Sequence, residues 1–271
     1  MLTLRTILSK RNNIFAIIFY LPALLLAVHV NAQQAIENVE ILTQPVKIKT
    51  GDEHDLLLAG DYYLGKKRSG GVIVLHDCHN DRRSYKKIAS SLAEQGLHAL
   101  LLDFRGYGES IAEGFSRKQI KKKSVNIVEY QSEMALLTTY WQDDLLAAYQ
   151  FLRSKLEGNQ GISIVASGCG SIHAVALAEK ILLNSMVIIT PKMSYNDKER
   201  YKNLIDIPSY FVTSYHHQES YQIAQELFAW NGDKRSKIQT FKGDSYAYRL
   251  IARKKDLIKD IAHWIKSTVD K

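Results

Sequence analysis

The chain has 271 residues, 46% of them apolar, with 36 Lys and Arg against 28 Asp and Glu. That length and composition supply a hydrophobic core and exclude a disordered or fibrous chain. Four Pro and 15 Gly, unclustered, exclude a low-complexity body, and two Cys are too few for a disulfide scaffold or a cysteine-built zinc site.

The chain opens with Arg5, Lys10 and Arg11 and no acid, followed by an uncharged run from Ile14 to Val30. A basic stretch ahead of an apolar run reads as a secretory signal, and Val30-Asn31-Ala32 has the small-x-small character of a cleavage site. The reading is a signal peptide over 1–32 and a single domain over 33–271. The apolar run is also close to the ~20 residues of a membrane span, so an uncleaved inner-membrane anchor is the alternative. Either way the domain is exported, with the bacterial periplasm as the expected location. Without the three signal cations the balance is 33 against 28, or +5, too mild to demand nucleic acid. An oxidising compartment makes Cys78 and Cys169 candidates for pairing.

Beyond the signal, 39–50 and 56–64 read as an antiparallel pair of strands around Thr50-Gly51-Asp52. GVIVLH (71–76) is a buried strand, 84–95 an amphipathic helix closed by Gly96, and HALLLDF (98–104) a further strand. Helix 141–156, strand 162–167, small-residue helix 171–183 and strand 186–190 follow. The last third gives strand 209–213, helix 220–230, strand 237–241 and helix 255–268. This alternation predicts an α/β fold, a mainly parallel central sheet with helices on both faces and function in the loops after the strands. The stretch 111–139 breaks the alternation and reads as a lid-like insertion. It contains SRKQIKKKS, five cations in nine residues.

Four motifs then resemble the α/β-hydrolase superfamily, in particular its serine aminopeptidase and dienelactone hydrolase members. Leu75-His76-Asp77-Cys78 stands at the family's His-Gly-x position, and LLLDFRGYGES (100–110) matches its Asp-x-Arg-Gly-x-Gly-x-Ser turn. Residues 162–178 match the strand, turn and helix of the nucleophile elbow. IDIPSYFVTS (205–214) and KIQTFKGDSYAYRL (237–250) match the last two strands, whose loops carry the acid and the histidine. The resemblance implies an α/β-hydrolase fold over essentially all of 39–271.

The resemblance also implies a degenerate triad. A G-x-S-x-G turn needs small residues two before and two after the nucleophile. Ala166 and Gly170 meet that need with Gly168 at the nucleophile position, which leaves no nucleophile. Shifted registers offer Cys169 or Ser167 as fallback nucleophiles. The acid position falls on His217, with Glu219 or Asp197 as displaced carboxylates, and the histidine position falls on Tyr246. A phenol of pKa near ~10 is a poor base at neutral pH. Cys78 and Cys169 fall on the two positions whose N–H groups form the family's oxyanion hole, and so are expected to touch or to form a disulfide, two buried thiols being the alternative.

These readings lead to a non-catalytic exported protein that binds a small molecule or an envelope protein. The alternative is an active hydrolase of esters, thioesters or peptides that uses Cys169 or Ser167, with His76, His79 or His217 as base. His76, Asp77, His79 and Tyr215 are the expected pocket residues. His76-x-x-His79 with His173 falls short of a zinc ligand set, so no metal and no cofactor is expected. Arg117, Lys118, Lys121, Lys122 and Lys123 are candidates for contact with an anionic membrane surface, against the alternative of a solvated basic face.

Overall fold

The computed structural model describes residues 41–269 apart from Glu53 and Asp55; the expected signal segment 1–32 lies outside the described residues. Eight strands form one sheet: β1 (Thr43–Lys49), β2 (Leu57–Tyr63), β3 (Gly71–Leu75), β4 (His98–Leu102), β5 (Ile162–Ser167), β6 (Met186–Ile189), β7 (Ser209–Ser214) and β8 (Lys237–Phe241). Their spatial order is β1-β2-β4-β3-β5-β6-β7-β8. Pairing is antiparallel at β1–β2 and β2–β4 and parallel elsewhere. The helices are α1 (Lys86–Glu94), α2 (Arg117–Lys123), α3 (Ile127–Thr139), α4 (Trp141–Lys155), α5 (Gly170–Ala178), α6 (Tyr195–Tyr201), α7 (Gln218–Trp230), α8 (Tyr248–Arg253) and α9 (Lys255–Val269).

The period of two along the central strands sorts the core into two layers. In β3, Ile73 and Leu75 join Trp141, Leu145 and Leu152 of α4 and Ala174 and Leu177 of α5 on one face. Val72 and Val74 join Ile88 and Leu92 of α1 and Ile261 and Ile265 of α9 on the other. Both faces are covered, so these strands are apolar throughout. Gly96 (φ +82°) ends α1 while the Leu97 N–H returns to the Leu92 carbonyl, a glycine-closed C-terminus.

The expected elements differ from the observed ones mainly at their ends. The helix expected over 171–183 stops at Ala178, where the Lys180 and Ile181 N–H groups both turn back to the Leu177 carbonyl and the chain drops Leu183 into the core. The strand expected over 98–104 ends at Leu102, where the chain leaves the sheet two residues ahead of the turn that begins at Arg105. Two short helices, α6 and α8, went unread. The stretch 111–139 is a pair of helices, α2 and α3, beyond the carboxyl end of β4.

That turn after β4 is built on buried charge. The Asp103 carboxylate accepts the Arg82 N–H at 2.8 Å and the Glu109 N–H at 2.9 Å and pairs with the Arg82 guanidinium. A Cβ on Gly108 (φ +51°) would fall inside that carboxylate, which accounts for glycine there. Arg105 is fully buried, bonded through Nε (3.1 Å) and Nη2 (2.6 Å) to the equally buried Asp144 of α4, and paired with Asp52 of the β1–β2 connection. Its guanidinium also lies over the rings of Phe115 and Tyr140, 4.9 and 4.5 Å from their centroids. Breaking a buried pair strands a charge, so Asp144→Ala should cost about 3–5 kcal/mol. Asp52→Ala, at a partly exposed site, should cost less. Urea unfolding measures both, and equal small losses would show that the pair does not carry the turn.

Candidate functional site

The chain turns sharply between β5 and α5, and the turning residue is Gly168 (φ +55°). Its N–H bonds the Ile189 carbonyl at 2.9 Å, and its carbonyl accepts the Ser171 hydroxyl at 2.6 Å. A Cβ placed on Gly168 would lie 2.6 Å from the Tyr246 hydroxyl and 3.1 Å from the Asp77 Cβ. The space in front of the elbow is therefore taken by the phenol of Tyr246.

Tyr246 is aimed there by its neighbours. Ala247 has an unfavourable φ of +49°, and its N–H is held at 2.8 Å by the hydroxyl of Thr190, itself at φ +45° at the end of β6. Residues other than glycine seldom occupy this region, and two of them here are held by the surrounding bonds. The Ser214 hydroxyl bonds the Ser245 carbonyl at 2.6 Å and the His216 N–H bonds the Gly243 carbonyl at 2.9 Å, which ties the loops after β7 and β8 together. His217 consequently stacks on Tyr246, with ring centroids 4.6 Å apart, while its Nδ1 lies 2.8 Å from the Ser220 hydroxyl. Gly168, Tyr246 and His217, from three separate loops, thus stand in a row. Burial, reinforced by the charges of Asp77 and Glu219, pushes the Tyr246 phenol up to about 12, further from any use as a base.

Cys78 and Cys169 form a disulfide, with their Cα atoms 5.9 Å apart and a separation of 91 in sequence. The bond joins the loop after β3 to the residue following Gly168. Cys169 is therefore no free thiol in this state. Ser167, the other fallback nucleophile, is the last residue of β5 and is wholly buried.

The remaining expected pocket residues divide. Asp77 is buried, and its carboxylate accepts the Tyr85 hydroxyl (2.6 Å), the Asn80 side-chain amide (2.8 and 3.1 Å) and the His79 N–H (2.7 Å). It organises the loop after β3 instead of offering a free charge. His79 is exposed and meets the edge of the Tyr246 ring at 6.4 Å. His76 does not line the cleft: it is a completely buried loop-packing histidine, its Nε2 accepts the Phe104 N–H at 3.0 Å, and its Nδ1–H donates to the Asp77 carbonyl at 2.7 Å. Burial holds this ring neutral as a brace between two loops. Tyr215 differs from expectation: it points to solvent beside His216 and Tyr221.

A cleft of about 530 Å³ opens beside the elbow, lined by Asp77, His79, Asn80 and the run Tyr246 to Arg249. Asn80, Ala247 and Arg249 were missed from sequence. The only signal for them was their place in loops that follow β3 and β8, on the functional edge of such a sheet. Among the described residues no three His, Cys, Asp or Glu side chains converge as a metal site. His173 lies apart, packed against Trp141 (4.8 Å) and Phe104 (5.6 Å).

Burial lowers the His173 pKa to about 4, so it is neutral in the fold and titrates near ~6.5 when unfolded. Between those values the unfolded chain binds more protons, and stability falls as pH falls, by up to about 1.4 kcal/mol per pH unit. His173→Phe should remove this share of the acid sensitivity, read from urea midpoints on either side of the window; an unchanged loss would refute it. At the elbow, Gly168→Ala should destabilise by about 1–3 kcal/mol through backbone strain and the clash with the phenol. Tyr246→Phe should restore part of that loss, giving a coupling in a double-mutant cycle. Strict additivity of the two changes would mean that the phenol does not occupy the elbow.

No family model and no curated protein matches the chain. Solved structures do. The esterase Pf2001 of Pyrococcus furiosus superposes with a TM-score of 0.60 at 16% identity, over 84% of this chain and 94% of that one. A dienelactone hydrolase from Anabaena variabilis gives 0.58 at 12% identity, over 83% and 97%. A thermophilic esterase from Thermogutta terrifontis gives 0.56 at 13%, over 83% and 99%. The eight-stranded sheet order, the elbow between β5 and α5 and these superpositions agree: this chain has the α/β-hydrolase fold.

Proposed function

We propose that this protein is an exported, non-hydrolytic member of its fold that binds a ligand or an envelope partner at the cleft beside the elbow. The observation that carries this reading is the fit of Tyr246 against Gly168. The elbow has no side chain to attack with, and the group opposite it leaves no room for one without moving. A nucleophilic mechanism needs an attacking atom within reach of a base, and the row Gly168, Tyr246, His217 supplies packing in place of both. The Cys78–Cys169 bond supports the same reading, because it crosslinks the two residues at the oxyanion-hole positions. The cleft offers an exposed guanidinium at Arg249, an imidazole at His79 and the rings of Tyr246 and Tyr248, which suits a small anionic or aromatic ligand.

A second reading is favoured by the neighbours of the fold, which are esterases and a dienelactone hydrolase. In it the chain is an active hydrolase whose Cys169, at the N-terminal end of α5, is released as a thiol when the disulfide is reduced. Reduction would also relax the fold, since closing a loop of 91 residues contributes on the order of 4 kcal/mol in the chain-entropy model.

The deciding experiment measures p-nitrophenyl ester turnover and fluorophosphonate labelling of the purified protein, oxidised and after dithiothreitol, with mass mapping of any adduct. The expected result is no turnover above buffer in either state and no serine adduct. Turnover that appears on reduction and disappears in Cys169→Ser would establish the hydrolase instead.

A further inference from the structure

The α2–α3 hairpin is the part of the domain least accounted for by its own core. Helix α3 has 13 residues, yet only Leu137 is buried. Apolar side chains elsewhere on it face solvent: Ile127 is 65% exposed, Val128 66% and Leu136 58%, and Val125 in the turn before it is 88% exposed. Of these, Val125, Ile127 and Val128 cluster at the tip where α3 begins, and such a cluster marks a contact surface, unlike single apolar residues scattered over a protein.

The tip is also a defined structure. The Ser124 hydroxyl closes α2 on the Ile120 carbonyl at 2.7 Å. Asn126 caps α3 by accepting the Glu129 N–H at 2.9 Å, and the Glu129 carboxylate takes the Val125 N–H at 2.6 Å. Arg117 anchors the base, with Nε 3.3 Å from the Tyr130 hydroxyl and its guanidinium over the Tyr107 ring. The polar groups of the turn are thus used internally, and what projects outward is valine and isoleucine.

Beside that tip stand Lys118, Lys121, Lys122 and Lys123, all exposed, with Ile120 the only buried residue of α2. The acids of the hairpin are Glu129, engaged in capping, and Glu133. Cations flanking a protruding apolar knob match an anionic bilayer: lysines reach headgroup phosphates while the short apolar chains enter the boundary beneath them. An acidic protein would use the cations but leave Val125 and Val128 unexplained. We propose that the α2–α3 hairpin docks the domain on an anionic lipid surface, with Val125, Ile127 and Val128 inserted and Lys118 to Lys123 on the headgroups. The hairpin and the Asp77–Tyr246 cleft both lie beyond the carboxyl ends of the strands, so docking turns the cleft's end of the sheet toward the membrane. This inference does not depend on whether the elbow is catalytic.

The test uses residues 33–271, which contain the whole compact unit of residues 41–271 and both core layers. The protein should sediment with vesicles of phosphatidylglycerol and phosphatidylcholine, remain in solution with phosphatidylcholine alone, and be released by salt. Triple charge reversal at Lys121, Lys122 and Lys123 should weaken binding by on the order of a hundredfold. Val125→Ser with Ile127→Ser and Val128→Ser should also abolish sedimentation while leaving the far-ultraviolet spectrum and melting unchanged. An environment-sensitive dye on Val128→Cys should shift to the blue on vesicles. The same dye on Leu182→Cys should not, because Leu182 precedes β6 and so lies at the amino end of the parallel strands, opposite the end that carries the hairpin. No sedimentation with either vesicle, binding unaltered in both triple variants, or a shift at Leu182 equal to that at Val128 would overturn the proposal.

Discussion

A guanidinium removed from water must be neutralised where it sits, and the top of this sheet is organised around that requirement. Arg105 is fully buried and draws on three parts of the chain: Asp52 from the β1–β2 connection, Asp144 from α4, and the rings of Phe115 and Tyr140 that frame the α2–α3 hairpin. The Trp141 indole closes the arrangement by donating to the Arg105 carbonyl at 3.0 Å. Next to it, Asp103 and Arg82 form a second buried pair. With both guanidinium groups paired to carboxylates, the turn after β4 becomes a fixed base from which the hairpin projects. Such buried pairs specify one arrangement more than they add net stability, because desolvation offsets much of their attraction.

The same economy of partners closes the elbow. Asp77 spends its carboxylate on Tyr85, Asn80 and the His79 N–H, and His76 spends both ring nitrogens on backbone groups. Tyr246 is fixed from below by Ala247 and Thr190 and from the side by His217. The Asp77 carboxylate and both His76 ring nitrogens are thus engaged in holding loops. The Cys78–Cys169 crosslink adds a covalent constraint to that packing. The elbow is packed by these side chains, and the open space of the cleft lies beside it.

The arrangement separates scaffold from surface. A sheet covered on both faces supplies stability, while the loops after its strands and the inserted hairpin carry the exposed chemistry. The cleft offers a guanidinium and aromatic rings; the hairpin offers lysines and short aliphatic chains. Both sit at one end of the sheet, so a ligand in the cleft and a surface under the hairpin would meet the domain from the same direction.

The sequence by itself determined the order of the eight strands and of helices α1, α4, α5, α7 and α9, because burial on one or both faces imposes periods of two and 3.6 that the residue order displays directly. The resemblance led to the expectation that Gly168, Cys78 and Cys169 meet at the elbow, with two free thiols as the alternative, and the tertiary structure decided for the bonded pair. What the sequence left undecided was side-chain direction. His76 and Tyr215 are loop residues like His79, yet one turns into the core and the other to solvent, and only the neighbours brought by other strands decide which. The hairpin's basic run was legible, but the outward aim of Val125, Ile127 and Val128 was not, because apolar residues on a 13-residue helix read as core until the third dimension shows nothing packed against them. Helices α6 and α8 escaped for a related reason: at seven and six residues they are too short to display a period, and only their caps and contacts with the sheet define them. Local pattern sets which elements form; the long-range neighbours that neutralise a charge, fill a space or leave a face open are decided by tertiary structure alone.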